Sequence, residues 1–66
     1  MSIVKVLELM SESKTSWEDA TASAIAKASE SVKDIQSAWV QDQSVVIKDG
    51  KVTAYRVALK VSFKVK

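Results

Sequence analysis

Cysteine and histidine are absent from this 66-residue chain, and glycine occurs only once. Without cysteine there are no disulfides, and without either residue there is no zinc site of the Cys/His kind. The lone glycine rules out a glycine-rich phosphate loop, and no nucleophile-base constellation can be assembled, so no catalytic residues are expected and the chain reads as a non-enzyme. The longest apolar run falls far short of the ~20 residues of a membrane span, and the N-terminus lacks a charged-then-apolar leader pattern. A cytoplasmic protein with no membrane partner is the expectation. Ten Lys and Arg against eight Asp and Glu leave a net charge of +2, too small a surplus to argue for nucleic acid. No acidic spacing resembles a calcium loop, so no metal ligands are assigned from the sequence.

Residues 1–66 form one domain. A chain of this size buries only about 60% of the surface that its unfolded form exposes, so its own core is marginal. Small domains are reinforced by disulfides, metals, oligomerisation or unusually ideal packing, and with the first two gone self-association is the expected staple.

Ile3 to Met10 is rich in β-branched and apolar residues and reads as a first strand. Ile3, Leu7 and Leu9 fall on one face and Val4, Val6 and Met10 on the other, as in a strand covered on both sides, which again points to assembly. Ser11 to Ser16 is a polar connection. Ser16 followed by Asp19 resembles a capping box, so a helix begins at Trp17. Its apolar stripe of Ile25, Ala28, Val32 and Ile35 predicts a helix of about eighteen residues, roughly 27 Å long. Trp17 reads as the packing anchor of its first turn.

From about Gln36 the period changes to two, and Asp49-Gly50 is a strong signal for a two-residue hairpin turn. Tyr55, Val57, Leu59, Val61, Phe63 and Val65 line one face of the last strand, and Ala54, Arg56, Ala58, Lys60, Ser62 and Lys64 the other. Without a bulge, facing residues have numbers that sum to 99. This pairs Ala38 with Val61 and Val40 with Leu59 on the core face, and Trp39 with Lys60, Gln41 with Ala58 and Gln43 with Arg56 on the opposite face. Trp39 is then an outward indole among Gln, Arg and Lys, suited either to a neighbouring subunit or to a flat ligand. Arg56, Lys60, Lys64 and Lys66 form a basic outer row, which reads first as a solvated face. A single outward aromatic is poor support for RNA binding. The fold class is α+β: β-α-β-β, a three-stranded antiparallel sheet with a long hairpin curled around one helix.

The order of elements, Lys5-Val6-Leu7-Glu8-Leu9, the Ser16-Trp17-Glu18-Asp19-Ala20 helix entry, and Tyr55-Arg56-Val57-Ala58-Leu59-Lys60-Val61-Ser62-Phe63 together resemble the dodecin family. The resemblance spans nearly the whole chain. It implies a small, non-enzymatic flavin-binding protein that assembles as a hollow homododecamer for flavin storage, sequestration and photoprotection. A tryptophan on the second strand stacks on the isoalloxazine ring in that family, and a Gln on the third strand hydrogen-bonds the ring edge. Carried over by residue type, Trp39, Gln41, Gln43, Arg56 and Ala58 become the flavin-site candidates, with FMN or riboflavin as cofactor. Arg56 stands where flavin-binding members have Gln. Trp39 lies two residues closer to it than their tryptophan does, and Ser37 occupies the ungapped tryptophan position. Relatives that share the Ser-Trp-Glu helix entry, lack that tryptophan and are calcium-associated supply the alternative: a structural or calcium-associated shell without flavin.

Overall fold

A computed structural model describes residues 3–65. Lys66, placed above in the basic outer row, lies outside the described residues. The order is β1 (Ile3–Ser13), α1 (Trp17–Ser29), β2 (Ile35–Lys48) and β3 (Lys51–Val65), which is the expected β-α-β-β plan. All pairings are antiparallel and the sheet order is β1-β3-β2, so β3 is central and the other two strands are edges.

The helix starts where its cap predicts. Ser16 has extended backbone, and its Oγ accepts the Asp19 N–H at 3.0 Å. The reciprocal half of the capping box is not made: the Asp19 carboxylate instead accepts from the buried Ser13 hydroxyl at 2.6 Å, tying the end of β1 to the first turn of α1. Trp17 anchors that turn as expected. Its ring meets Tyr55 edge-on at 5.2 Å, and its indole N–H donates to the Ser44 carbonyl at 3.0 Å.

The helix is shorter than its apolar stripe suggests, thirteen residues rather than about eighteen. It closes at Glu30, after which the Ser31 and Val32 amides both fold back on the Ala28 carbonyl. Asp34 adopts a left-handed φ of 61°, which Asp tolerates better than most residues, and turns the chain into β2. Val32 therefore sits in the connection and Ile35 is the first residue of β2. A spacing of three joins these residues in sequence, but two different elements carry them.

Ala20 and Ala24 pack on Val57, Leu59 and Val61, with Leu9, Trp17, Ile25 and Ile35 around them. The small alanines let α1 lie close to the sheet, and it covers mainly β1 and β3. The molecule measures 51 × 20 × 14 Å. A thirteen-residue helix is about 20 Å long. The hairpin consequently runs on well past its helix.

Asp49 and Gly50 form the expected hairpin turn, with φ of 52° and 75°. Close to the turn, Lys48 faces Lys51 and Ile47 faces Val52, in the predicted register. Thr53 is then extra in β3 and shifts the pairing by one. Gln41 is extra in β2 and shifts it back, so that Val40 faces Leu59, Trp39 faces Lys60 and Ala38 faces Val61. These three predicted pairs are correct because the two bulges cancel. Between the bulges the prediction fails: Asp42, not Gln41, faces Ala58, while Gln43 faces Val57 and Ser44 faces Arg56. An unpaired extra residue of this kind bends and twists its strand locally, which gives the long hairpin its curl.

Candidate functional site

Residues that face each other across an antiparallel ladder share a side of the sheet. The outer side, away from α1, can thus be laid out in rows across β1, β3 and β2. The first is Val6-Ser62-Ser37, followed by Glu8-Lys60-Trp39, Met10-Ala58-Asp42 and Glu12-Arg56-Ser44.

Trp39 is where the sequence puts it, opposite Lys60 on the outer side, and 46% of its surface is exposed. Ala58 forms a small floor next to it, between Met10 and Asp42. The other candidates divide. Arg56 is on the same side, but Glu12 holds it: Nε donates to Glu12 Oε1 at 3.0 Å, and Nη2 donates to the same oxygen. Gln41 is the bulged residue and has no facing partner. Gln43 pairs with Val57, one of the fully buried core residues, and so belongs to the helix side of the sheet. The expected cluster of Trp39, Gln41, Gln43, Arg56 and Ala58 is reduced to Trp39, Ala58 and an Arg56 already engaged. A one-residue slip transfers every following side chain to the other face, and Gln41 introduces that slip.

Sequence reasoning missed three outer-side residues. Asp42 takes the place assigned to Gln41. Glu12 and Glu8 face Arg56 and Lys60, and the Glu8 carboxylate is 3.8 Å from the Lys60 ammonium. A signal for the carboxylates was present, because Glu8 and Glu12 have the same spacing of four as Lys60 and Arg56, run in the opposite direction, and antiparallel pairing brings equal spacings together. Two members of the basic row, Arg56 and Lys60, are therefore offset by carboxylates of β1, whereas Lys64 faces Val4. Ser37, at the ungapped tryptophan position, is 2.6 Å from Ser62 through their hydroxyls. Among the described residues no three acidic side chains gather as a metal site, and no helix is long and apolar enough to cross a membrane.

One helix on one side of a three-stranded antiparallel sheet, with the other side left bare and studded with apolar residues and ion pairs, defines a small open-sheet α+β protein. Its sequence matches the family described as Dodecin over residues 3–66, and the chain belongs to that family. The calcium dodecin of Mycobacterium tuberculosis is 45% identical over 67 residues, covering 100% of this chain and 93% of that protein. A crystal structure of that calcium-chelating antigen, described as having a novel calcium-binding site, has a TM-score of 0.86 at 42% identity, covering 98% of this chain and 93% of that one. A mutant dodecin of Thermus thermophilus overlays with a TM-score of 0.94 at 26% identity, covering 100% of this chain and 98% of that one. The family resemblance and the expected fold are both borne out.

Proposed function

We propose that this chain is a non-enzymatic subunit of a homo-oligomeric, dodecin-type shell that works in the cytoplasm without stacked flavin, in the manner of calcium-associated relatives. The observation that carries this reading is the Arg56–Glu12 pair. The residue at the flavin-edge position is a cation already satisfied by a neighbouring carboxylate, and a guanidinium has no acceptor with which to copy an amide. The 45% identity to a calcium dodecin supports the same branch. Calcium takes six to eight oxygen ligands. The described residues of one chain gather no acidic trio, so the ion would draw on backbone carbonyls, waters or the carboxylates of a second copy. Twelve copies in a hollow shell is the assembly that family membership suggests, and the bare outer side of the sheet is the surface that such a shell would use.

The absorption spectrum of the protein as purified, combined with its native mass, tests this reading. A colourless particle of about twelve copies that leaves riboflavin fluorescence unchanged, and whose melting temperature falls on adding a calcium chelator, is the expected result. Flavin bands in the purified particle would overturn it.

Flavin capture remains the second reading, favoured by the accessibility of Trp39 beside the small Ala58 floor. An indole there can stack on an isoalloxazine ring and quench its excited state, the basis of storage and photoprotection. Quenching of FMN or riboflavin that disappears in Trp39→Ala would establish it.

A further inference from the structure

On either side of its two bulges the β2–β3 hairpin keeps the register that its two-residue turn dictates, and only the stretch between them departs from it. Drawing Gln41 and Thr53 into the ladder would remove both bulges at once. Gln41 would then face Ala58, Asp42 would face Val57, Gln43 would face Arg56, and every side chain of β2 in that stretch would change sides.

Burial does little to choose between the two registers. Gln41, Asp42, Gln43 and Ser44 are all exposed although they alternate between the two sides of β2, and a slip of one residue merely exchanges the half-buried Val45 and Val46. A strand that is polar on both sides specifies its register weakly, so specific bonds must hold it. Two bonds end on carbonyls of this stretch: the Trp17 indole N–H donates to the Ser44 carbonyl at 3.0 Å, and the Thr53 hydroxyl donates to the Val46 carbonyl at 3.2 Å. Neighbouring carbonyls along a strand point to opposite edges, so a slip of one residue would turn both away from their donors. Trp17 is itself held, because its ring meets Tyr55 edge-on at 5.2 Å. One side chain of α1 thus grips β3 by a ring and β2 by a carbonyl, and fixes how the two strands sit against each other.

We infer that Trp17 sets the ligand preference of the outer side, by locking β2 in the register that presents Asp42 and Ser44 there in place of Gln41 and Gln43. The locked side carries a carboxylate one row from Trp39, which suits a cation. The unlocked side would carry two amides near Trp39 and Ala58, which can donate to and accept from the edge of a flat ring. The ligand preference rests on the flavin-free reading given above, whereas the lock itself does not.

Trp17→Phe keeps a ring against Tyr55 and removes the donor. Because the chain has no cysteine of its own, the register can be read with Arg56→Cys paired either with Ser44→Cys, which faces it in the locked register, or with Gln43→Cys, which faces it in the other. Each pair is built with and without Trp17→Phe, checked for native mass and helix content, oxidised mildly, and scored for the disulfide formed within one chain. With Trp17 present the 44–56 pair should close and the 43–56 pair should stay open. With Trp17→Phe the 43–56 pair should gain closure several-fold while the 44–56 pair loses it. Should the phenylalanine variant not fold, 3-benzothienylalanine at position 17, which exchanges the indole N–H for sulfur at nearly unchanged shape, puts the same question. A preference for the 44–56 pair that survives in a folded Trp17 variant would overturn the lock. For the ligand, Trp17→Phe combined with Arg56→Gln should quench riboflavin at least twice as strongly as Arg56→Gln alone, and no added quenching would overturn the preference. Flavin bands in the unaltered protein would sink the flavin-free reading and leave the disulfide result standing.

Discussion

β2 and β3 pair along almost their whole lengths and carry similar alternations, yet one is the most buried strand of the molecule and the other is almost entirely exposed. Leu59 and Val40 make the point in a single rung. They face each other on the helix side, but Leu59 has no exposed surface and Val40 is 41% exposed. Strand order and helix placement account for the difference. β3 is central with α1 above it, and β2 is an edge that the short helix touches chiefly at its first turn, through Trp17 at Ser44. An apolar alternation therefore states which face a residue takes, while the neighbours decide whether that face is covered. In this chain the uncovered apolar residues are numerous enough that a lone copy is an incomplete object.

The largest effect that tests this contrast is Leu59→Ala, which should cost about 2–5 kcal/mol through the cavity left in the core. That approaches the whole stability of a domain this small, so denaturant melts should show a largely unfolded chain. Val40→Ala on the same rung should cost no more than about 0.5 kcal/mol in a dilute single copy. A clear increase in that cost as protein concentration rises would mark β2 as covered by a neighbour, and equal costs for the two variants at all concentrations would break the comparison.

Next comes the cap of α1. Ser16→Ala should lower stability by about 1 kcal/mol through loss of the bond to the Asp19 amide, read as a shift in denaturant midpoint with unchanged slope.

The smallest effect is expected at the outer ion pair. Arg56 and Glu12 are 41% and 49% exposed at the side chain, so breaking their pair in Glu12→Gln should cost only about 0.2–1 kcal/mol, and less at high salt. Its value lies in the ligand question. Arg56→Gln supplies the amide that flavin-binding dodecins carry and releases Glu12. A gain in riboflavin quenching in that variant, absent in the parent, would show that Arg56 is what keeps flavin out.

Fold and site were legible to different degrees. The turn at Asp49-Gly50, the cap at Ser16 and the orientation of Trp39 all follow from local chemistry that a sequence displays directly. The bulges at Gln41 and Thr53 do not. Neither residue is glycine or carries another mark of an unpaired position, and only the fit of the long hairpin to its neighbours requires them. Because they offset each other, the central rungs come out correctly while the intervening Asp42, Gln43 and Ser44 do not. The helix end was obscured for a similar reason, since Val32 and Ile35 continue the stripe of α1 across a connection that leaves the helix.

Trp17, clasped between the Tyr55 ring and the Ser44 carbonyl, also gives the molecule a built-in spectroscopic label. The chain has only two tryptophans, and the other is the outward Trp39. One indole emits from a fixed, hydrogen-bonded seat against the sheet, while the other emits from the surface and meets any solute that approaches. Iodide or acrylamide should dim the second well before the first. The emission of Trp17 therefore reports whether a copy is folded, and that of Trp39 whether its outer side is covered.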